Sequence, residues 1–370
     1  MNRCKKLSRR CLGIMFILYI GIMIALNIIT PDRVFSDSEN RNLEQRPKFT
    51  FDKLIHGKFT KDYEKYVADQ FTMRDFFIGV KSDVERATGK KENNGVYIGS
   101  DGYLMQKFNM PEEKKIKEKM SGINSFSASI PKTNKYFMLV PGSVEILSGK
   151  LPSFAPCDDE RLYLDKVKGY LDKDINFVDV YDTLNCKKDE YIFYKTDHHW
   201  TSKGAYYAYN KLCSDMNIKP HDESYFDVKK VTDEFYGSLY SKGGFRHINP
   251  DSIELYIPKA DEECKVDYVD ENRTSNSIYD MDCLNKKDKY TVFLGGNHSL
   301  VKITSNAPNK KKLLVVKDSY ANSFIPFLTG HYSEIYVVDL RYYNEDLKDL
   351  VNKNKINDVL FLYSAGNFIQ

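Results

Sequence analysis

From Cys11 to Ile29 the chain is an almost unbroken apolar run, interrupted only by Asn27 and preceded by the basic segment Asn2-Arg3-Cys4-Lys5-Lys6-Leu7-Ser8-Arg9-Arg10. Roughly 20 apolar residues suffice to cross a bilayer, and a positive flank that comes first predicts a cytoplasmic N-terminus with the body exported. The rival reading is a cleavable signal peptide, but Ala25-Leu26-Asn27-Ile28-Ile29-Thr30 offers no convincing small-x-small site. The expectation is a cytoplasmic segment over 1–10 and a retained transmembrane signal anchor over 11–30. Polar residues follow, and from Phe51 to about Thr88 apolar positions such as Tyr63, Tyr66, Val67, Phe71 and Phe76 recur at helical spacing. Residues 31–95 therefore read as a polar linker and a helical layer.

Beyond residue 96 the pattern changes to short apolar runs. Lys135–Val140, a segment near Ile175 to Val180, the Val- and Leu-rich run ending at Ser319, Glu334–Val338 and Asp358–Leu362 read as buried strands. Helical segments separate them, one running to about Thr329 and one starting near Asn344. Such alternation favours parallel pairing and right-handed crossovers. The predicted fold class is α/β, a three-layer domain over 96–370 around a mostly parallel sheet. Residues 222–288 break the pattern with turn residues and short aromatic strands such as Ile253–Ile257, and read as an irregular insertion bordering the active site.

The 55 Lys and Arg residues nearly balance 52 Asp and Glu, for a net charge of +3. A nucleic-acid partner would call for a concentrated basic face, so none is expected. Of the seven cysteines, Cys4 and Cys11 belong to the membrane end. Cys157, Cys186, Cys213, Cys264 and Cys283 form an odd set without framework spacing, and no disulfide scaffold is implied. A chain of 370 residues holds an anchor, a connector and one α/β domain.

Chemistry concentrates in Thr196-Asp197-His198-His199-Trp200-Thr201, which ends beside the only tryptophan of the chain. Either an Asp-x-His pair orients a general base, or the cluster opens a metal site. Adjacent residues point in different directions and no His-x-x-x-His or Cys-x-x-Cys pair accompanies them. His221, His247, His298 and His331 would have to complete a site from a distance, so neither a metal nor a cofactor is expected. A base needs a nucleophile whose proton it takes. Ser319 supplies one, at a strand-to-helix turn where open α/β sheets bind ligands. Thr201 or Ser202 is a good N-cap, which puts His199 just ahead of a helix N-terminus. The helix dipole there disfavours imidazolium and Asp197 favours it. Trp200 reads as packing for the loop, with a sugar platform as the alternative.

The Thr196–Thr201 run, Lys317-Asp318-Ser319-Tyr320, and Gly295-Gly296-Asn297-His298 between them together resemble the DHHW proteins, relatives of the alginate O-acetyltransferases within the permuted SGNH/GDSL hydrolase superfamily. The resemblance implies Asp197 and His199 as the Asp-x-His pair and Ser319 as the catalytic serine. His198 fills the variable middle position and receives no catalytic role. Asn367, after the third strand of the serine half, is the candidate for the superfamily's oxyanion asparagine. The loop after the second strand offers Asp339-Leu340-Arg341 where a glycine is expected. That leaves Arg341, or the backbone of Gly295, Gly296 and Asn297, as second oxyanion donor beside the Ser319 N–H; each such donor contributes about 3 kcal/mol. The Gly-Gly-Asn run reads equally well as a plain turn. His198, Trp200 and Tyr320 complete the residues expected around the substrate. Asn40-Arg41 and Asp69-Gln70-Phe71-Thr72-Met73-Arg74 match a pattern of the related acetyltransferases, with structural duty as the default reading. The implied activity is that of an exported, membrane-anchored O-acetyltransferase modifying a cell-surface or extracellular polysaccharide through an acyl-serine. Its implied partner is a multi-pass membrane acyltransferase as acyl donor. A carbohydrate esterase with the same residues, and a non-catalytic polysaccharide-binding or assembly module, stay open.

Overall fold

A computed structural model describes residues 2–36, 38–259 and 263–369, without the side chains of residues 2–7. Contacts divide the chain into two units: residues 1–90 with 244–246, and residues 91–243 with 247–370. In the first, the helix Asn2–Ile29 contains a stretch, Ser8–Ile29, long and apolar enough to cross a membrane. Helices Phe51–Ile55, Lys58–Asp69 and Arg74–Ala87 follow. The Asn-Arg and Asp-Gln-Phe motifs meet here. Arg41 grips Asp69 with two hydrogen bonds of 2.8 and 2.6 Å, Glu44 N–H adds one of 2.9 Å, and Arg74 reaches Glu39 at 2.7 Å. Hydrogen bonding by Arg41 holds the Asp69 carboxyl down at about 2. The motif thus clamps the connector onto the junction between the helices Lys58–Asp69 and Arg74–Ala87.

The second unit is built on one eight-stranded sheet. Its strands are β1 (Asn134–Val140), β2 (Ile175–Phe177), β3 (Cys264–Tyr268), β4 (Arg273–Ser275), β5 (Leu300–Ser305), β6 (Lys312–Lys317), β7 (Glu334–Val338) and β8 (Asp358–Ser364). They lie in the order β4-β3-β5-β7-β6-β8-β1-β2. The run β7-β6-β8-β1-β2 is parallel. Its strands read as continuous apolar runs because both faces are covered: Leu313, Leu314, Val315 and Val316 of β6 are fully buried. After β7 the chain crosses over β6 to form β8, so the direction of winding reverses at the carboxyl end of β6. That is where open α/β sheets leave a crevice.

Two expectations are corrected. The segment after Ser319 is not one helix but two 3-10 turns, Ser319–Ser323 and Ile325–Leu328. Pro326 lacks the N–H that a continuous α-helix would use. The region 222–288 is also less separate than expected. Its β3 and β4 extend the main sheet antiparallel through β5, while Phe226–Phe235 pairs with Asp251–Pro258 in a two-stranded ribbon.

Candidate active site

The turn at Ser319 is fixed by its neighbour. Asp318 Oδ1 accepts from Tyr320 N–H at 2.9 Å, and its Oδ2 accepts from the backbone and hydroxyl of Ser364, at the end of β8, at 2.9 and 2.7 Å. Two strand ends are thereby tied together, and Ser319 is left half-buried at the sheet edge.

Asp197, His199 and Ser319 form one hydrogen-bonded chain. His199 Nδ1 lies 2.5 Å from Asp197 Oδ1, and His199 Nε2 lies 2.8 Å from Ser319 Oγ. Asp197 also accepts from the His199 backbone N–H at 2.9 Å and from Ser238 N–H at 2.7 Å. Burial pushes its carboxyl up, but the adjacent His199 and His198 and these hydrogen bonds outweigh that and hold it well below the usual carboxylate range. An ionised carboxylate only accepts, so Nδ1 carries the ring proton and Nε2 faces the serine as an acceptor. The next residues complete the local structure. Thr201 caps the helix Ser202–Asp215 by accepting from Gly204 N–H.

Two side chains that sequence reading missed hold this chain in place. The Tyr290 ring stacks on His199 with centroids 3.8 Å apart and planes 8° apart; its hydroxyl donates to Ser319 O at 3.1 Å and lies 3.1 Å from Ser323 Oγ. Asp251 is buried and accepts from Thr196 N–H and Oγ1–H at 2.7 and 2.5 Å, from Lys195 N–H at 2.8 Å, and from the Tyr191 hydroxyl. The signal for both was spatial, since neither residue is near the motif in sequence. Gly237 is a third support. A Cβ there would stand 2.2 Å from Asp197 Cβ and 2.5 Å from Oδ2. Gly237→Ala is expected to lower the unfolding free energy by about 1–3 kcal/mol, the usual range for overpacking. Denaturant unfolding checks this, and an unchanged midpoint would show that the loop yields freely.

The remaining expected residues fall in different places. Arg341 lines a cleft of about 530 Å³ together with Ser319, and pairs with Asp339 through bonds of 2.9 and 2.5 Å. Lys317 lines the same cleft. Its buried amine donates to Asn297 Oδ1 at 2.8 Å and lies 3.7 Å from Asp339; burial pushes it down to about 8 against the pull of Asp339 and Asp318. Asn367 and His198 border this cleft and also a neighbouring cavity of about 450 Å³. His198 Nδ1 bonds Ser238 Oγ at 2.7 Å, and burial with the adjacent His199 pushes its ring down to about 3. Tyr320 is buried, borders the neighbouring cavity and donates to the His198 carbonyl.

Trp200 and the Gly295–Asn297 run each take one of the alternatives left open for them. Trp200 is 0 % exposed, donates from Nε1 to Tyr320 O at 2.9 Å and stacks on Phe324. It anchors the two motifs to each other and offers no platform to a sugar. Gly296 and Asn297 do not line the Ser319 cleft. Residues 294–296 form a turn with φ of 63, 73 and 107°, whose Gly296 carbonyl and Asn297 side chain accept from Asn322 at 3.2 Å. The metal geometry differs from expectation. The turn folds back so that ligand atoms of Asp197, His198 and His199 come within 4.8 Å of one another. An ion there would have to break the Asp197–His199 hydrogen bond.

Glu160, the first residue of the helix Glu160–Tyr170, is 2 % exposed and borders the neighbouring cavity. Burial, with Glu145 adding to it and the Gly142 N–H opposing, pushes its carboxyl from the ordinary 4.5 up to about 8. Between those values the folded chain keeps a proton that the unfolded chain has lost. Stability therefore falls as the pH rises through the window, by at most about 1.4 kcal/mol per unit. In a melting series across it, wild type is expected to lose stability more steeply than Glu160→Gln. Parallel curves would contradict the assignment.

The sheet order and the site at the turn after its central strand define an α/β protein with a mostly parallel sheet and a serine at its carboxyl edge. Residues 114–338 match the DHHW protein family, and the chain belongs to that family. Among solved structures, a DHHW family protein from Eubacterium siraeum is 26% identical with a TM-score of 0.66, covering 75% of this chain and 93% of the other. Bacillus cereus PatB1, determined with a sulfonyl adduct, is 22% identical with a TM-score of 0.64, covering 74% and 95%. Curated protein sequences gave no match.

Proposed function

We propose that this protein is an exported, membrane-anchored O-acetyltransferase that places acetyl groups on a cell-surface or extracellular polysaccharide through an acyl-serine. The observation that carries the reading is the Asp197–His199–Ser319 chain, with links of 2.5 and 2.8 Å, opening onto a cleft at the carboxyl edge of the sheet. An imidazole with Nε2 free to accept is what turns a serine hydroxyl into a nucleophile. Ser319 Oγ attacks the carbonyl of an acetyl donor while His199 Nε2 takes its proton, and Asp197 stabilises the imidazolium. The proton then passes to the leaving group. The Ser319 N–H, Asn367 and Arg341 are the donors proposed for the oxyanion. Arg341 serves through whatever N–H its pairing with Asp339 leaves available.

Acetyl as the group transferred is supported by the relation between DHHW proteins and the alginate O-acetyltransferases. A body on the outer face is supported by the apolar stretch Ser8–Ile29 and the basic flank that precedes it. A multi-pass acyltransferase would deliver the acetyl group there. The test is partition. Full-length protein given p-nitrophenyl acetate and oligosaccharides is expected to yield acetylated saccharide in preference to acetate. Acetate alone, at a rate indifferent to every saccharide, would make the protein an esterase.

A further inference from the structure

The cavity of about 450 Å³ beside the Ser319 cleft has walls unlike those of an apolar core. Asn94, Gln106, Asn109 and Ser143 line it with amides and hydroxyl, and Phe108 adds one aromatic face. Glu160 borders it with an incompletely satisfied carboxyl. Its Oε2 accepts from Gly142 N–H at 2.7 Å, whereas Oε1 has no hydrogen-bond partner among the described residues. A Cβ at Gly142 would stand 3.3 Å from Oε1, so the missing side chain keeps that oxygen accessible. An oxygen without a protein partner at the wall of a polar cavity is a place for a ligand hydroxyl. The cavity shares His198 and Asn367 with the Ser319 cleft, so the two spaces adjoin.

We infer that this cavity is the acceptor subsite, holding one saccharide unit whose hydroxyls are read by Glu160 Oε1, Gln106 and Asn109 while another hydroxyl is presented to acyl-Ser319. This rests on the acyl-serine reading above. With its carboxyl pushed up to about 8 by burial, Glu160 is mostly protonated at neutral pH and both donates and accepts, as a sugar hydroxyl does. In the transfer step His199 Nε2 takes the acceptor hydroxyl proton as the oxygen bonds to the acetyl carbon. The bond from that carbon to Ser319 Oγ breaks, and the same proton returns to Oγ.

The test uses full-length protein acetylated beforehand with p-nitrophenyl acetate, so that effects on acylation drop out. Loss of the adduct is followed by intact mass against a panel of methyl glycosides and N-acetylglucosamine oligomers. Saturable acceleration is expected for wild type, with half-saturation raised about tenfold in Glu160→Gln and in Gln106→Ala, the scale of one lost hydrogen bond. Gln106 is half-buried, so its variant serves if Glu160→Gln does not fold. A wild-type adduct that no panel member discharges faster than water, or acceleration unchanged in both variants, overturns the inference. If no adduct forms, the acyl-serine reading fails by itself. Saturation-transfer NMR with the same panel then decides the cavity: binding weakened in the variants supports it, and its absence in wild type overturns it.

Discussion

Replacing Ser319 with alanine is expected to lower acetyl-ester turnover by at least roughly 10⁴-fold, the scale set by removing a nucleophile that acts as a unit with its base. The oxygen removed is the one 2.8 Å from His199 Nε2, and no other hydroxyl is hydrogen-bonded to that nitrogen among the described residues. Folding should hardly notice. Ser319 is half-buried, and the turn is held by Asp318 through Tyr320 and Ser364 rather than by the Ser319 side chain. Melting within about 0.5 kcal/mol of wild type is therefore expected alongside the lost rate. Equal turnover in the two proteins would remove the serine from the chemistry, and a large loss of stability would make the rate uninformative.

Asp197→Asn should cost nearly as much, about 10⁴-fold, by a different route. Asp197 accepts from three donors: the His199 and Ser238 backbone N–H groups and His199 Nδ1. An asparagine has one acceptor oxygen and an NH₂ group. Turned toward Ser238, the NH₂ meets another donor. Turned toward His199, it donates to Nδ1 and moves the ring proton to Nε2, which then cannot take the serine proton. The carboxylate's depressed value has a further consequence. Its stabilisation is present above the ordinary carboxylate range and is lost as the pH falls below it, so the variant should show a weaker acid limb in a stability profile. Turnover within tenfold of wild type would show that the carboxylate does not set the tautomer.

The parts of the fold that were legible are those where local pattern and tertiary environment agree. Strands β6, β7 and β8 are buried on both faces, so Leu313–Val316 and its counterparts stand out as uninterrupted apolar runs. Ser319, His199 and Asp197 were legible because each sits within a short motif whose neighbours have fixed jobs: Asp318 ties the turn, and Thr201 caps the helix. Strand β5 escaped because it alternates buried and half-buried positions in a polar segment, and β3 and β4 because they are short pieces of an irregular region. Tyr290, Gly237 and Asp251 lie 91, 40 and 55 residues from the groups they support (His199, Asp197 and Thr196), and nothing in their own surroundings marks that contact. Glu160 is similar: at the start of an amphipathic helix it reads as an ordinary exposed first-turn acid, and only the approach of Gly142 shows it to be buried. Of the two readings of Trp200, its burial and its bond to Tyr320 O favour packing over a sugar platform.

The central claim is that Ser319 Oγ carries the acyl group. The most direct measurement is an acid-quenched reaction of the full-length protein with p-nitrophenyl acetate, followed by intact mass and peptide mapping of wild type and Ser319→Ala. The account predicts one acetyl group per chain on the peptide containing Ser319, and none in the variant. An adduct on another residue, or one retained undiminished in Ser319→Ala, would contradict it.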